Sequence, residues 1–136
     1  MSDKSAPLSC VTGASGLIGS RIVQGLRRAG YRVRALSRRS DFTSAEVELF
    51  CGGLDDETIL ENFLENAQMP FHCAAELHDQ ARMWEVNVRG TERLLRLANA
   101  AGIEYLCHLS PCSVVGRTRE PWVDETTPCN PRDTYE

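Results

Sequence analysis

Three glycines spaced three residues apart form the pattern in this sequence that most directly predicts chemistry. Gly13, Gly16 and Gly19 stand in the segment TGASGLIGS, between a short apolar run and a stretch with apolar residues at helical spacing. Residues without a Cβ let the backbone approach a phosphate closely, and the amides at a helix N-terminus complement the charge of an anion. The turn therefore predicts a binding site for the pyrophosphate of a dinucleotide.

The residues after the second predicted strand bear on which dinucleotide binds. The glycine spacing is G-x-x-G-x-x-G instead of the usual G-x-G-x-x-G, and the strand end carries no acidic residue to hold a ribose 2′-hydroxyl. Ser37, Arg38 and Arg39 occupy that place. Because a guanidinium can pair with a 2′-phosphate, we expect NADP, with NAD less favoured. The alternative is that Arg38 only points into solvent.

A turn of this kind needs a strand before it and a helix after it, and the rest of the chain continues that alternation. The predicted strands cover residues 8–12, 31–35, 47–51, 70–75 and 105–109. Parallel strands need crossover connections, so the fold class is α/β, a doubly wound parallel sheet of about five strands. The segment 110–136 has no hydrophobic period and is rich in proline and glycine, which predicts a loop.

Three predicted helices connect these strands. The first is stopped by Gly30, the second is capped by Asp55 or Asp56 and extends to residue 67, and the third covers about residues 80–101 with a break at Gly90. The third helix is expected to turn its apolar residues inward. Those residues are Met83, Val86, Leu94, Leu97, Ala98 and Ala101.

Composition places the chain among soluble globular domains. Its 136 residues are 42% hydrophobic and 25% charged, which argues against a disordered or fibrous protein and allows at most one domain. No stretch approaches the roughly 20 apolar residues of a membrane span, and the first ten residues do not resemble a signal peptide. We therefore expect a cytoplasmic protein that does not bind a membrane.

Charge is distributed unevenly along the chain. The net charge of −4 disfavours a nucleic-acid partner, yet most residues with charged side chains before position 40 are basic. A basic first third suits a ligand that carries phosphates. The alternative is a solvated surface of arginines.

The cysteines and histidines do not predict a metal site. None of the six cysteines forms a CxxC pair, and no histidine has a carboxylate or cysteine at ligand spacing. We expect buried, reduced thiols and structural roles for His72, His78 and His108. The pairs Asp55–Asp56 and Asp124–Glu125 are better explained by helix capping and by a loop surface than by acid–base chemistry.

Several motifs, in order along the chain, resemble the extended short-chain dehydrogenase/reductase superfamily, in particular its NAD-dependent epimerase/dehydratase group. The motifs are TGASGLIG after the first strand, HCAA at 72–75, NVRGT at 87–91, SPCSVVG at 110–116 and a tyrosine at 135. The resemblance covers nearly the whole chain. It implies a Rossmann domain over residues 1–136 that binds a nicotinamide dinucleotide. The implied contacts are Gly13, Ser15, Gly16, Leu17, Ile18, Gly19, Arg38, Leu54, Ala74, Ala75 and Asn87.

Some of these contacts have specific implied roles. Arg38 would meet the 2′-phosphate, Leu54 would lie beside the adenine, and Ala74 and Ala75 would line the ribose and pyrophosphate. Asn87 would contact the cofactor or order a water in the active site. For Asn87, the alternative is a side chain in mid-helix that faces solvent.

The same resemblance implies that Tyr135 is the acid/base of a hydride transfer, assisted by a serine or threonine and by a lysine four residues later. The chain departs from this pattern. The lysine position falls past Glu136, the hydroxyl position holds Pro111, and Gly53 replaces an aspartate that commonly binds adenine. Ser110 or Ser113 could replace the missing hydroxyl only with a register shift.

These departures leave more than one function open. The chain is expected to be an N-terminal fragment, lacking a C-terminal substrate lobe, of an oxidoreductase, epimerase or dehydratase that acts on a small molecule. The alternatives are a non-catalytic NADP-binding sensor or interaction module, and an inactive truncated product. A sheet that ends after five strands leaves an uncovered edge, so a homo-oligomer is also expected as a possibility.

Overall fold

The computed structural model describes residues 5–41, 46–119 and 121–136. It contains one parallel sheet of five strands in the order β3-β2-β1-β4-β5. The strands are β1 Leu8–Thr12, β2 Arg32–Ser37, β3 Val47–Cys51, β4 Phe71–His72 and β5 Cys107–His108. The predicted doubly wound α/β fold is confirmed.

Helices cover both faces of this sheet. They are α1 Leu17–Arg28, α2 Glu57–Leu64, α3 Gln80–Met83 and α4 Gly90–Ala100, with a π-helical segment, Trp84–Arg89, between α3 and α4. All five residues of β1 are buried, because the strand is covered on both sides. Cys10 belongs to the core on the face of α2 and α4, and its neighbour Val11 belongs to the core on the face of α1.

The glycine at the end of α1 acts as predicted. Gly30 has a φ of +85°, and its amide donates to the carbonyl of Arg27 while that of Tyr31 donates to Leu26. This is a typical left-handed helix end. The apolar face of α1 is buried at Val23 and Leu26.

The second helix is shorter than predicted. Asp56, not Asp55, caps α2 by accepting a hydrogen bond from the amide of Ile59 at 3.0 Å. The helix ends at Leu64, and not at Ala67, because Glu65 leaves the helical region with a ψ of 122° and Asn66 then adopts a φ of +58°. Ala67 nevertheless remains buried in the core.

The predicted break at Gly90 is wrong. Gly90 has helical torsion angles, φ −62° and ψ −42°, and the irregularity is the π-helical segment before it. A Cβ on Gly90 would lie 2.8 Å from the Cβ of Leu54, so glycine is required here by packing and not by a kink. Ala101 was also predicted to face inward, but it is exposed because it lies at the C-cap of α4.

Strands β4 and β5 are shorter than the predicted ranges 70–75 and 105–109. After His72 the amides of Cys73 and Ala74 donate to the hydroxyl of Thr12, at 3.1 and 3.2 Å, and β4 ends. The segment after β5 contains a 3₁₀ turn, Cys112–Val115, and is otherwise a loop among the described residues. The loop prediction for this region is confirmed.

All six cysteines are free thiols, but only Cys10 is buried. The expectation of burial is wrong for Cys51 and Cys107, because β3 and β5 are the edge strands of the sheet, and for Cys112 and Cys129, which lie in the exposed C-terminal region. Within the described ranges, no helix has the length and apolar character needed to cross a bilayer.

Candidate functional site

The glycine turn lies between Thr12, the last residue of β1, and α1. Gly13 has a φ of +64°, and a Cβ on it would lie 2.7 Å from the backbone nitrogen of Ala74. A Cβ on Gly19 would collide with the carbonyl of Gly13, to which the amide of Gly16 donates at 3.0 Å. Backbone packing therefore excludes side chains from both ends of the turn.

The N-terminus of α1 has the character of an anion site. Its cap residue, Gly16, provides no side chain to bond the first amides, and the first turn contains no acidic residue. Leu17 and Ile18, at the start of the helix, are 80% and 48% exposed. Together with the tight turn of the backbone at Gly13 and Gly19, these features fit a pyrophosphate, whose charge the helix N-terminus would stabilise.

The end of β2 faces the same turn through a pair of serines. The hydroxyl of Ser37, which is buried, donates to the Oγ of Ser15 at 3.0 Å and accepts the amide of Arg39 at 3.0 Å. This contact joins the strand end to the middle of the glycine turn. Sequence reasoning named Ser37 but missed this role, which a hydroxyl at the end of a buried strand could have indicated.

The two arginines after Ser37 differ in their surroundings. Arg39 forms two hydrogen bonds to Asp41, at 3.0 and 2.9 Å, and these bonds together with the arginine's charge lower the pKa of Asp41. Arg38 is exposed and has no ion-pair partner among the residues that the structure describes. Of the described residues at this strand end, Arg38 therefore has the guanidinium that is open to an anionic ligand.

Leu54 is held against α4. Its side chain is only 7% exposed and packs over Gly90, and its carbonyl accepts a hydrogen bond from Arg93 at 2.6 Å. The implied contact between Leu54 and an adenine stays a prediction. Most of the side-chain surface is already covered, so the contact would involve its remaining edge and the neighbouring backbone.

A buried polar network lies beneath the glycine turn. Thr12 Oγ1 and His72 Nδ1 are 2.7 Å apart, and His72 Nε2 lies 2.9 Å from Thr91 Oγ1. Burial, together with the charge of His108, which stacks on the ring, lowers the pKa of His72 to about 4. Thr12 and Thr91 were not predicted as site residues, because these contacts join positions 60 and 19 residues apart.

Asn87 does not face solvent, so that alternative is wrong. Its Oδ1 accepts the amide of Glu76 at 2.7 Å, and its Nδ2 donates to the carbonyl of the same residue at 3.0 Å. Asn87 thus holds the loop that follows β4. Within this loop Ala74 is half-buried beside Gly13, and Ala75 is exposed.

The predicted catalytic residues lie in the C-terminal loop. Tyr135 is 41% exposed, and no hydrogen bond between described residues joins its hydroxyl to the glycine turn. Pro111 caps the 3₁₀ turn with no side-chain hydrogen bond, Ser110 is exposed and Ser113 is half-buried. A catalytic role for Tyr135 stays a prediction. Among the described residues, no three potential metal ligands are grouped together.

A parallel sheet in the order 3-2-1-4-5, with a close glycine turn between its first strand and first helix, defines a Rossmann-type dinucleotide-binding domain. The model of the NAD dependent epimerase/dehydratase family matches residues 9–136, and the chain belongs to that family.

Relatives with curated names support this membership. Sterol demethylase protein B of Methylococcus capsulatus is 32% identical over 93% of this chain and 42% of its own length. A 3 beta-hydroxysteroid dehydrogenase/Delta 5-->4-isomerase of Mycobacterium tuberculosis is 32% identical over 90% of this chain and 36% of its own length. The chain thus spans less than half of these relatives.

Solved structures show the same fold. A short-chain dehydrogenase/reductase superfamily protein from Agrobacterium tumefaciens with bound NAD has a TM-score of 0.86 and 31% identity, over 94% of this chain and 40% of the other. MoeE5 in complex with UDP-glucose and NAD has a TM-score of 0.84 and 30% identity, over 93% of this chain and 44% of the other.

Proposed function

We propose that this chain binds a nicotinamide dinucleotide, with the pyrophosphate over the turn from Gly13 to Gly19, as the cofactor domain of an oxidoreductase, epimerase or dehydratase. The observation that carries the proposal is the turn itself. Side chains are excluded at Gly13 and Gly19 by contacts of 2.8 Å or less, and the α1 N-terminus beside them has no capping side chain. Family membership and neighbours whose structures contain NAD support it.

For the choice of dinucleotide we propose NADP, on the strength of Arg38. Its exposed guanidinium follows β2, where a 2′-phosphate would lie, while the neighbouring Arg39 is engaged by Asp41. A bound dinucleotide would place its adenosine near Ser37 and Leu54 and its pyrophosphate at Gly16. The neighbours that contain NAD make this choice an experimental question.

Calorimetric titration of the chain with NADP and NAD tests both parts of the proposal. Replacing Arg38 by alanine should weaken NADP binding roughly 10- to 100-fold, the value of one charge-assisted hydrogen bond, and change NAD binding by less than about threefold. Arg28→Ala, at the opposite end of α1, is the matched control and should alter neither affinity. Equal affinities for NAD and NADP in the unchanged protein would exclude the NADP preference, and absence of binding would exclude the function.

For the whole protein we propose hydride transfer at a secondary alcohol or carbonyl group of a small molecule, with the hydroxyl of Tyr135 exchanging the proton. The nicotinamide would supply or accept the hydride when bound. Sterols and UDP-sugars are the two substrate classes to test first, since they appear in the names of relatives and of structural neighbours. Absorbance of the reduced nicotinamide reports turnover directly.

A non-catalytic dinucleotide-binding module is the second candidate, and Pro111 favours it. Proline offers no hydroxyl at the position where the family uses one, and no backbone N–H either. Under this proposal the protein binds the dinucleotide with the same dependence on Arg38 but transfers no hydride to either substrate class. Turnover that is lost in Tyr135→Phe would decide for the enzyme.

A further inference from the structure

His72 lies at the centre of a hydrogen-bond chain that the proposed site does not yet account for. The residue is 1% exposed, so its ring cannot meet a substrate or solvent. The chain runs from Thr12 at the end of β1, through His72 on β4, to Thr91 on α4, and Thr91 donates to the carbonyl of Asn87 at 2.6 Å. The hydrogen-bond chain therefore connects β1 and β4, which precede the loop after β4, with the π-helical segment and α4, which follow it.

The partners of Thr12 assign the proton on the imidazole. Thr12 Oγ1 already accepts the amides of Cys73 and Ala74, at 3.1 and 3.2 Å, so its own proton is directed to His72 Nδ1. Nδ1 is then an acceptor, and the ring proton resides on Nε2, which donates to Thr91. The contact with Thr12 requires the neutral ring, because both nitrogens of a protonated imidazole are donors. The depressed pKa of His72 agrees with that state.

The loop that this chain holds is the one that closes on the glycine turn. Its first part is fixed by Thr12 through the amides of Cys73 and Ala74, and its far end is fixed by Asn87 through the backbone of Glu76. The backbone nitrogen of Ala74 lies in the space that a side chain on Gly13 would enter. Displacing the loop would therefore change the wall of the turn.

We propose that His72, as the neutral Nε2–H tautomer, is a positioning residue that sets the loop of residues 73–76 against the glycine turn for dinucleotide binding. This inference rests on the proposed function, because its consequence is measured as affinity for the dinucleotide. It goes beyond that function in assigning the task to a residue that touches no ligand. A histidine that only filled the core would need neither a fixed tautomer nor the Thr91 hydroxyl.

Thr91 allows the test without altering His72 or any residue of the turn. Thr91→Val keeps the shape of the side chain and removes the acceptor for Nε2–H, whereas Thr91→Ser retains the hydroxyl. We expect Thr91→Val to weaken binding of NADP and NAD about tenfold and to speed hydrogen exchange at the amide of Glu76. Thr91→Ser should stay within about twofold of the unchanged protein in both measurements.

The histidine spectrum of the unchanged protein provides a test that needs no substitution. Two-dimensional ¹H–¹⁵N spectra should show one ring in the Nε2–H form that does not titrate between about pH 5 and pH 8. An Nδ1–H or a charged His72 in that range would overturn the inference, as would a folded Thr91→Val protein that binds the dinucleotide normally. If the unchanged protein binds neither dinucleotide, the proposed function itself is wrong, which is a distinguishable result.

Discussion

Gly13 is constrained twice, once by its backbone and once by its neighbour. Its φ of +64° is costly for a residue with a Cβ, and the position of that Cβ is taken by the backbone of Ala74. Gly30 has the first constraint without the second, since its φ is +85° and, apart from its chain neighbours, no described residue has an atom within 4 Å of its Cβ position. Comparing the two glycines therefore separates the cost of backbone strain from the cost of a steric collision.

Replacing Gly13 by alanine should lower the free energy of unfolding by roughly 3 kcal/mol or more, because strain and a backbone collision add. Gly30→Ala, the matched control, should cost only about 1–2 kcal/mol from the left-handed conformation. Urea denaturation of both variants gives the comparison. Equal losses in the two variants would show that the contact with Ala74 does not constrain Gly13.

His72 predicts how stability depends on pH. Burial in the folded protein holds the pKa of His72 at about 4, against an ordinary value of 6.5. The unfolded chain therefore binds a proton more readily. The contribution of the neutral His72 ring to the free energy of unfolding is complete above pH 6.5 and is lost as the pH falls through 6.5 towards 4. The loss amounts to about 3 kcal/mol at 1.36 kcal/mol per pKa unit.

Denaturant unfolding at several pH values checks this sign against His72→Gln, which lacks the titrating ring. The unchanged protein should lose stability more steeply than the variant between pH 6.5 and 4, because carboxylates titrate in both proteins. Parallel curves would contradict the depressed pKa.

Among the elements, α4 shows how packing overrides helix propensity. Gly90 opens this helix with ordinary helical angles, although glycine is a poor helix former, because Leu54 packs where a Cβ would be. Gly25 in α1 is also helical, and outside its own stretch of helix no described residue has an atom within 4 Å of its Cβ position. Identical substitutions in the two helices should therefore have opposite effects.

Gly25→Ala should raise the free energy of unfolding by about 0.5–1 kcal/mol through helix propensity alone. Gly90→Ala should lower it by roughly 1–3 kcal/mol, since the new methyl group overpacks against Leu54. Leu54→Gly removes the Cβ that lies 2.8 Å from the new methyl group, so adding it to the Gly90→Ala protein should cost less than Leu54→Gly alone. Additive effects in this double-mutant cycle would rule out the contact as the cause.

The elements themselves were predictable where one local signal dominated. β1 and β3 match the predicted residues, and Gly30 marks the end of α1 as expected. The ends of β4 and α2 were not predictable. A distant hydroxyl on Thr12 determines the first, and the backbone torsion angles of Glu65 and Asn66 determine the second. Gly90 was taken for a break because the sequence alone does not show its contact with Leu54.

For the whole molecule, the parallel sheet brings the glycine turn, the end of β2 and the loop after β4 together at the carboxyl ends of its strands. The glycine pattern predicted the close turn between β1 and α1, since its spacing between strand and helix is local. The roles of Thr12 and Asn87 were beyond prediction, since their contacts depend on the folded arrangement of β4 and α4. Self-association along the exposed edge strand β5 stays a prediction.

Binding of a dinucleotide at the carboxyl ends of the strands should stabilise the entire domain. A ligand that binds only the folded chain, at about 100 times its Kd, raises the free energy of unfolding by ~2.7 kcal/mol. Thermal unfolding with NADP should therefore show a higher Tm, whereas inorganic pyrophosphate at the same concentration should have a smaller effect because it lacks the nucleosides. An unchanged Tm with both NADP and NAD would contradict binding of a nicotinamide dinucleotide.

The π-helical segment Trp84–Arg89 marks where this protein can tolerate a change in length. Each wide turn accommodates one residue more than an α-helical turn does. Deleting a single residue there would convert the segment into ordinary α-helix, and the side chains of α3 and α4 would keep their orientation. The same deletion within α4 would rotate its later residues by about 100°. Natural length variation in this helix is therefore expected at Trp84–Arg89.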